Sequence, residues 1–392
     1  MNNAYDCLIV GCGFAGAVIS RELAERAGKK VLIIEKRSHI GGNAYDFFND
    51  DGILVHKYGP HIFHTNSKMV HDYISRFTEW RNYSHEVLAN LHGKLIPVPF
   101  NLNSLNITFN TEKAEMLKKK LVSVYGIDKR LTIAQLRSET DPDLQELANF
   151  VYNNVFLYYT QKQWGVTPEN IDPSVIARVP VLISEDNRYF QDVYQGMPSD
   201  GYTSLFEKLL DNPNIHLRVN TDANELFKIN ENIMFFEGKP FNGTIIYTGA
   251  LDEFFNCKFG RLPYRTLDFL FETHDMTWYQ PKGTVNYTVD ESFTRITEFK
   301  HLTGQNICGK TTIMKEYPKA YTGSETEIPY YAILNEENSE LYKKYEQLTK
   351  KFPNFHLLGR LAEYKYYNMD AIIERALILA DKIICDEKGN DQ

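Results

Sequence analysis

The sequence predicts an α/β fold in which parallel strands alternating with helices are joined by a helical insert and a mostly antiparallel sheet. Three observations predict it. A glycine-rich turn separates a buried strand from a helix near the N-terminus. Residues 111–154 are rich in Lys, Glu, Leu and Ala with few breakers, and residues 176–197 and 262–315 are rich in β-branched and aromatic side chains with turn signals. At 392 residues the chain suggests two or three units, at roughly 100–200 residues each.

The elements follow in order. Cys7-Leu8-Ile9-Val10 is a continuous apolar run, as expected of a strand buried on both faces. It enters Gly11-Cys12-Gly13-Phe14-Ala15-Gly16, after which Ala17, Val18, Leu23 and Ala24 recur at helical spacing. Val31–Ile34 is a second buried strand ending at Glu35. Residues 215–219 and 244–249 read as strands returning to the first domain, and residues 356–360 as a further strand-to-loop junction. Asp370 is placed to cap a last amphipathic helix whose apolar side carries Ile372, Ile373, Ala376, Leu377 and Ala380.

Composition narrows the function. Lys and Arg number 43 against 51 Asp and Glu, a net charge of −8, which argues against a nucleic-acid footprint. An anionic ligand must then be held by a few placed cations. The 25 Tyr and 24 Phe suit stacking on planar or sugar-like ligands as well as filling cores. Five scattered cysteines without a C-x-x-C pair argue against a disulfide framework or structural zinc. No apolar run approaches the ~18 residues of a membrane span, so no membrane insertion is expected, and the N-terminus does not read as a signal peptide. A cytoplasmic protein is expected.

The glycine motif carries the first chemistry. In G-x-G-x-x-G the first glycine permits the tight turn, the second lets phosphate approach the backbone, and the third lets helix and strand pack closely. Glu35, at the end of the second strand, can accept ribose hydroxyls. The continuation Lys36-Arg37-Ser38-His39-Ile40-Gly41-Gly42-Asn43 has the extended basic and Gly-Gly pattern of glutathione-reductase-like FAD proteins, which favours FAD over NAD. His61-x-x-His64 lacks a third ligand, so no metal site is expected. Arg178, Arg265 and Arg295 lie amid aromatic and apolar neighbours and are candidates for bidentate phosphate binding; a surface salt bridge is the competing reading for each.

Several blocks together resemble UDP-galactopyranose mutase. They are residues 35–45, Tyr58-Gly59-Pro60-His61-Ile62-Phe63-His64-Thr65, Tyr159-Thr160-Gln161-Lys162-Gln163-Trp164-Gly165, Tyr194-Gln195-Gly196-Met197-Pro198, Lys315-Glu316-Tyr317 and residues 359–367, in order along nearly the whole chain. The resemblance implies an FAD-binding Rossmann-like domain (1–80, 198–260 and 352–392), a helical domain (102–178) and a twisted antiparallel sheet domain (81–101, 179–197 and 261–351). It implies a homodimer and a redox-neutral isomerase that interconverts UDP-galactopyranose and UDP-galactofuranose. Reduced FAD would attack the anomeric carbon through N5, with UDP as leaving group. The alternative is an amine-oxidase-like FAD oxidoreductase.

Matched by motif, Arg178, Arg295 and His64 would be catalytic, the arginines on the diphosphate and His64 against the isoalloxazine. Phe156, Tyr159, Thr160, Trp164, Tyr189, Arg265, Asn286, Tyr317, Tyr366 and Asn368 would join them around the substrate. Gly11, Gly13, Phe14, Ala15, Gly16, Glu35, Lys36, Gly42, Asn43, His61, Ile62, Gly359, Arg360, Tyr367 and Met369 would contact FAD. Asn368, Phe299 and His85 depart from the family pattern, where Asp, His and Asn are expected, and bear on local pocket contacts.

Overall fold

The computed structural model describes residues 4–167 and 180–390, without side-chain detail beyond 386. Its framework is a five-stranded parallel sheet in the order Ile215–Arg218, Val31–Ile34, Cys7–Val10, Thr244–Tyr247, Phe355–Leu357. The continuous apolar runs now have a cause. Cys7, Ile9, Val31 and Ile33 feed one core, while Leu8, Leu32 and Ile34 feed the core on the opposite face. Helix Phe14–Ala27 and the C-terminal helix Met369–Asn390 share the first of these cores, through Ala17, Val18, Ile373, Ala376 and Ala380.

The cap position falls two residues before the expected Asp370. The last helix begins at Met369, and the Asn368 carbonyl already accepts from the Ile372 N–H at 3.1 Å. Asp370 therefore stands inside the first turn, where a carboxylate still favours the positive end of the helix dipole.

The helical region holds Leu102–Thr108, Thr111–Tyr125, Ile133–Arg137 and Pro142–Val151, followed by a π-helical turn, Tyr152–Leu157, and helix Tyr158–Trp164. Ala114, Leu117, Leu121, Leu144, Leu147 and Ala148 close its core. Asn110 and Asp141 cap two of these helices, the second with Pro142 at its first position.

A seven-stranded sheet runs Tyr331–Ala332, Tyr264–His274, Thr311–Ala320, Arg295–Glu298, Thr284–Tyr287, Val87–Leu91, Lys94–Val98. Its pairings are antiparallel except that Thr284–Tyr287 runs parallel to Val87–Leu91. Of the 179–197 stretch, expected here, residue 179 lies outside the described residues and 180–197 contribute no strand to this sheet, only a single bridge between Arg188 and Glu86. Val181–Ile183 pairs with Lys129–Leu131 and buries Val181 and Ile183 in the helical core. Tyr194–Pro198 instead forms a three-stranded sheet with Phe63–Thr65 and Trp80–Asn82. Composition announces a strand but not its partner, because the pairing is set by long-range burial.

Two side chains fasten the last helix of the helical region to the large sheet. Lys162 Nζ donates to the carbonyls of Tyr287, Glu291 and Phe293 at 2.6, 2.9 and 3.3 Å, and Thr288 Oγ1 donates to Asn154 O at 2.6 Å. Helix Tyr158–Trp164 is thereby held beside the hairpin that carries Asn286 and Arg295.

Candidate active site

The site has two parts, a glycine cradle and a charged cleft. In the cradle Gly11 turns at φ +96°, and a Cβ there would meet Thr248 Oγ1 at 2.1 Å. Gly42, at φ +56°, brings its Cα so close to Gly13 that a Cβ would stand 2.9 Å from the Gly13 Cα. Two bare backbones thus face one another, while helix Phe14–Ala27 begins with no side-chain cap and no acid in its first turn. Its open N–H groups suit a pyrophosphate. Gly16 completes the turn, since a Cβ would lie 2.0 Å from Gly11 O.

Glu35 is buried beside this turn. Its carboxylate accepts from the N–H of Cys12 at 2.7 Å and of Arg37 at 2.9 Å, which fixes it at the strand end where a ribose would lie. The basic pair divides sharply. Lys36 is 66% exposed and ion-paired outward with Asp222 at 2.9 Å. Arg37 turns inward: Nη2 donates to Asn43 Oδ1 at 2.8 Å, the guanidinium lies 4.5 Å over Tyr58, and Nη1 is buried without a partner among the described residues. Lys36, expected to contact FAD, turns its side chain outward, and the donor that faces inward is Arg37. An uncapped helix, a fixed carboxylate and an unspent buried guanidinium nitrogen together fit a dinucleotide.

The rest of the cofactor set closes around this. Phe14 and Ile62 are buried, and Ala15 lies 3.6 Å from where a Gly359 Cβ would stand. His61 accepts burial at a cost in charge, its pKa pushed down to about 3, and its Nδ1 lies 2.9 Å from Gly59 O. Arg360 Nε donates to Tyr367 O at 2.5 Å and its guanidinium sits 4.6 Å over Tyr366, while Met369 packs against the first core.

In the cleft, strand register sets Asn286, Arg295, Glu316 and Phe269 side by side across four strands. Arg295 Nε lies 3.1 Å from Glu316 Oε2, and Glu316 is 1% exposed. Burial opposes the Arg295 charge, but Glu316, Tyr159, Tyr331 and Tyr189 outweigh it and hold the guanidinium above its ordinary value. Burial in turn pushes the Glu316 carboxyl up while Arg295 pulls it down. Asn286 Oδ1 and Glu316 Oε1 are buried with no hydrogen-bond partner among the described residues. Such groups cost about 1–3 kcal/mol each when left unmet, so a ligand that supplies donors is favoured here.

Aromatic rings wall the cleft. Tyr159 is pushed up to about 12 by burial and interacts with Arg295, Tyr189 and Tyr366. Tyr331 stacks parallel on Tyr366 at 5.8 Å and meets Trp164 at 5.6 Å. Thr160 is buried on the same helix as Tyr159 and Trp164, and Phe156 is buried in the helical core. Asn368 sits just ahead of the last helix, two residues beyond Tyr366.

One expected residue stands elsewhere. Strand alternation puts Tyr317 on the face opposite Glu316 and Arg295, where it packs on Phe293 at 5.8 Å. Tyr331 stands in the cleft instead, and its only sequence signal is the Pro329-Tyr330-Tyr331 cluster. Arg265 stays on the cleft face, in register with Tyr331, but spends Nε and Nη2 on the carbonyls of Gln163 and Lys162, at 2.9 and 3.0 Å, and so holds the C-terminal end of helix Tyr158–Trp164. Arg178 lies outside the described residues.

The departures also find places. His85 is buried, bonded through Nδ1 to Tyr83 Oη at 3.1 Å, and burial together with Arg295 and His64 pushes it down to about 3. Phe299 fills a small core with Ile53, Val55 and Met314. His64 stacks on Phe190 at 3.6 Å and holds Asp192 at 2.9 Å. No group of three or more His, Cys, Asp or Glu among the described residues forms a metal site, and no described helix is long and apolar enough to cross a membrane.

A parallel sheet with an open glycine cradle, joined to a cationic cleft, defines an enzyme of the Rossmann-like, dinucleotide-binding class. Comparison with known proteins carries this further. Residues 154–366 match the UDP-galactopyranose mutase family and residues 9–77 an NAD(P)-binding Rossmann-like domain. UDP-galactopyranose mutase of Mycoplasma pneumoniae is 37% identical over 97% of this chain and 97% of its own length. The dTDP-fucopyranose mutase of Escherichia coli is 36% identical over 97% of this chain and 99% of its own. A reduced UDP-galactopyranose mutase superposes at TM-score 0.69 with 15% identity, over 98% of this chain and 94% of that one. A putrescine oxidase with bound putrescine superposes at 0.58 with 12% identity, over 97% and 99%, a likeness of fold alone. The chain belongs to the UDP-galactopyranose mutase family, whose members are isomerases.

Proposed function

We propose that this chain contracts UDP-galactopyranose to UDP-galactofuranose, reversibly, with reduced FAD as its cofactor. The observation that carries the reading is the buried Arg295–Glu316 pair beside the unmet Asn286 Oδ1, set among Tyr159, Tyr189, Tyr331 and Tyr366. Gly11, Gly13, Gly16, Gly42, Glu35, Arg37 and Asn43 would hold the dinucleotide half of FAD. When bound, reduced FAD supplies the nucleophilic nitrogen for the anomeric carbon.

The chain's own part is electrostatic. Departure of UDP places charge on the β-phosphate, and Arg295, fixed in advance by Glu316, meets that charge without reorganising. Arg178 is proposed as its partner on the diphosphate. The tyrosine hydroxyls orient the sugar, and Trp164 and Phe156 hold the uridine end. His61 and His85 are held neutral by burial, so at neutral pH His61 adds no positive charge beside Arg360 and His85 adds none beside Arg295.

A second reading has a specific observation behind it, since the relative acting on dTDP-fucopyranose is nearly as similar as the one acting on UDP-galactopyranose. Turnover of both furanose nucleotides by dithionite-reduced protein decides between them. The proposal expects kcat/KM at least ~10-fold higher for UDP-galactofuranose, a difference of about 1.4 kcal/mol in transition-state binding. The reverse preference would transfer the assignment to the deoxysugar nucleotide.

A further inference from the structure

His64 is fixed by a group that lies far from it in sequence. Its strand, Phe63–Thr65, pairs with Tyr194–Pro198, and the loop before that second strand carries Asp192 to the imidazole. Both carboxylate oxygens of Asp192 are engaged. Oδ2 meets His64 Nδ1 at 2.9 Å and Oδ1 accepts from Asn66 Nδ2 at 2.6 Å. Asn66 Oδ1 accepts in turn from the Val193 N–H at 3.0 Å, and Gln195 Nε2 donates to the Asp192 carbonyl at 2.9 Å. The carboxylate is therefore held by two side chains, and Asn66 and the Asp192 backbone are themselves anchored.

The imidazole is held as firmly. Its plane lies 12° from that of Phe190 at 3.6 Å between centroids, and Phe190 in turn faces His85 at 6.1 Å. His64 Nε2 has no partner among the described residues. The His64 bond is also the main reason that the Asp192 carboxyl sits below its ordinary range, so it is ionised and can only accept. An acceptor-only group 2.9 Å from Nδ1 requires the proton to be on Nδ1, since the other neutral tautomer would set two lone pairs against each other.

We propose that Asp192 is the positioning residue of His64: it takes the Nδ1–H bond, selects of the two neutral tautomers the one with a bare Nε2 and holds the ring flat on Phe190, so that Nε2 is the atom offered to the ligand. The inference rests on the reading of His64 as a residue that faces the flavin. Asp192 touches no ligand in this scheme and acts only through His64.

Holoprotein labelled with ¹⁵N-histidine tests it by NMR at pH 8.5, with His64 assigned from the signal lost in His64→Gln. Wild type is expected to give the Nδ1–H, bare-Nε2 pattern, and Asp192→Ala to populate the opposite tautomer. With flavin content and melting temperature recorded for each variant, Asp192→Ala should lower kcat by ~10-fold and leave KM nearly unchanged. Added to His64→Ala it should change turnover less than 2-fold further, because the two act as one unit. A wild-type spectrum with the proton on Nε2, or losses that multiply in the double variant, would overturn the proposal. If His64→Ala turned over normally, the functional reading of His64 would fall, while the tautomer spectrum would still uphold or overturn the positioning by Asp192.

Discussion

The cradle and the cleft are built by opposite means. The cradle is built from backbone: Gly11, Gly13, Gly16 and Gly42 leave side chains out so that peptide N–H groups and a helix end can approach a phosphate. The cleft is built from side chains that pay for burial with one another, Arg295 against Glu316 and Tyr331 against Tyr366. The difference teaches where each is fragile. The cradle fails when an atom is added, and the cleft fails when one is removed.

The largest effect is expected from removing an anchor rather than a ligand contact. Glu316→Ala leaves the partly buried Arg295 guanidinium without its counter-charge, and breaking a fully buried pair sets an upper bound of about 3–5 kcal/mol. Chemical denaturation of the flavin-loaded variant checks this, and a loss below about 1 kcal/mol would mean the pair is not a unit. Arg295→Ala comes next. It should keep its flavin, since the cradle is untouched, yet lose at least ~10²-fold in turnover, with Arg295→Lys recovering little of the fork geometry. Steady-state kinetics on reduced enzyme read this out, and near-normal turnover in Arg295→Ala would move the phosphate to another group.

The buried histidines predict the pH response across both regions. His56 is held at about 4 and His61 and His85 at about 3, all by burial, below the usual ~6.5. A depressed folded pKa means that the unfolded chain binds protons first, so stability is full above pH ~6.5 and falls as pH drops from there toward 4. Each group can contribute up to about 1.4 kcal/mol per pH unit within that window. His85→Asn should flatten the melting-temperature profile between pH 7 and 5; an unchanged slope would show that His85 is not held neutral. The smallest effect separates the two basic residues after Glu35. Arg37→Ala should weaken FAD binding by ~10-fold, as expected for one charge-assisted hydrogen bond, and Lys36→Ala should leave it unchanged. Equal losses in flavin titrations would contradict the inward and outward placements.

What the sequence made legible follows the same divide. The cradle spans Gly11 to Asn43, a short stretch in which strand, turn, helix and acid announce one another by spacing, so its fold and its class of ligand could be read directly. Even there spacing does not separate Lys36 from Arg37, because adjacent residues differ only in which way they turn. The cleft draws on residues from Tyr159 to Tyr366 carried by two regions, and its composition depends on register. Tyr317 belongs to the Lys315-Glu316-Tyr317 block that carries the resemblance, yet strand alternation places it on the face opposite Glu316. Tyr331 comes from a two-residue edge strand that no periodicity marks. The strand at Val181–Ile183 was visible as a strand, but its partner at Lys129–Leu131 was not.

The central claim is a redox-neutral isomerisation that depends on reduced flavin and on the charged cleft. The most direct measurement follows conversion of UDP-galactofuranose by one preparation, oxidised and then reduced with dithionite under anaerobic conditions, while flavin absorbance is recorded. Turnover is predicted only after reduction, over many cycles, with the flavin spectrum still that of the reduced form at the end. Equal turnover by the oxidised protein, or oxidation of one flavin for each sugar converted, would contradict the account.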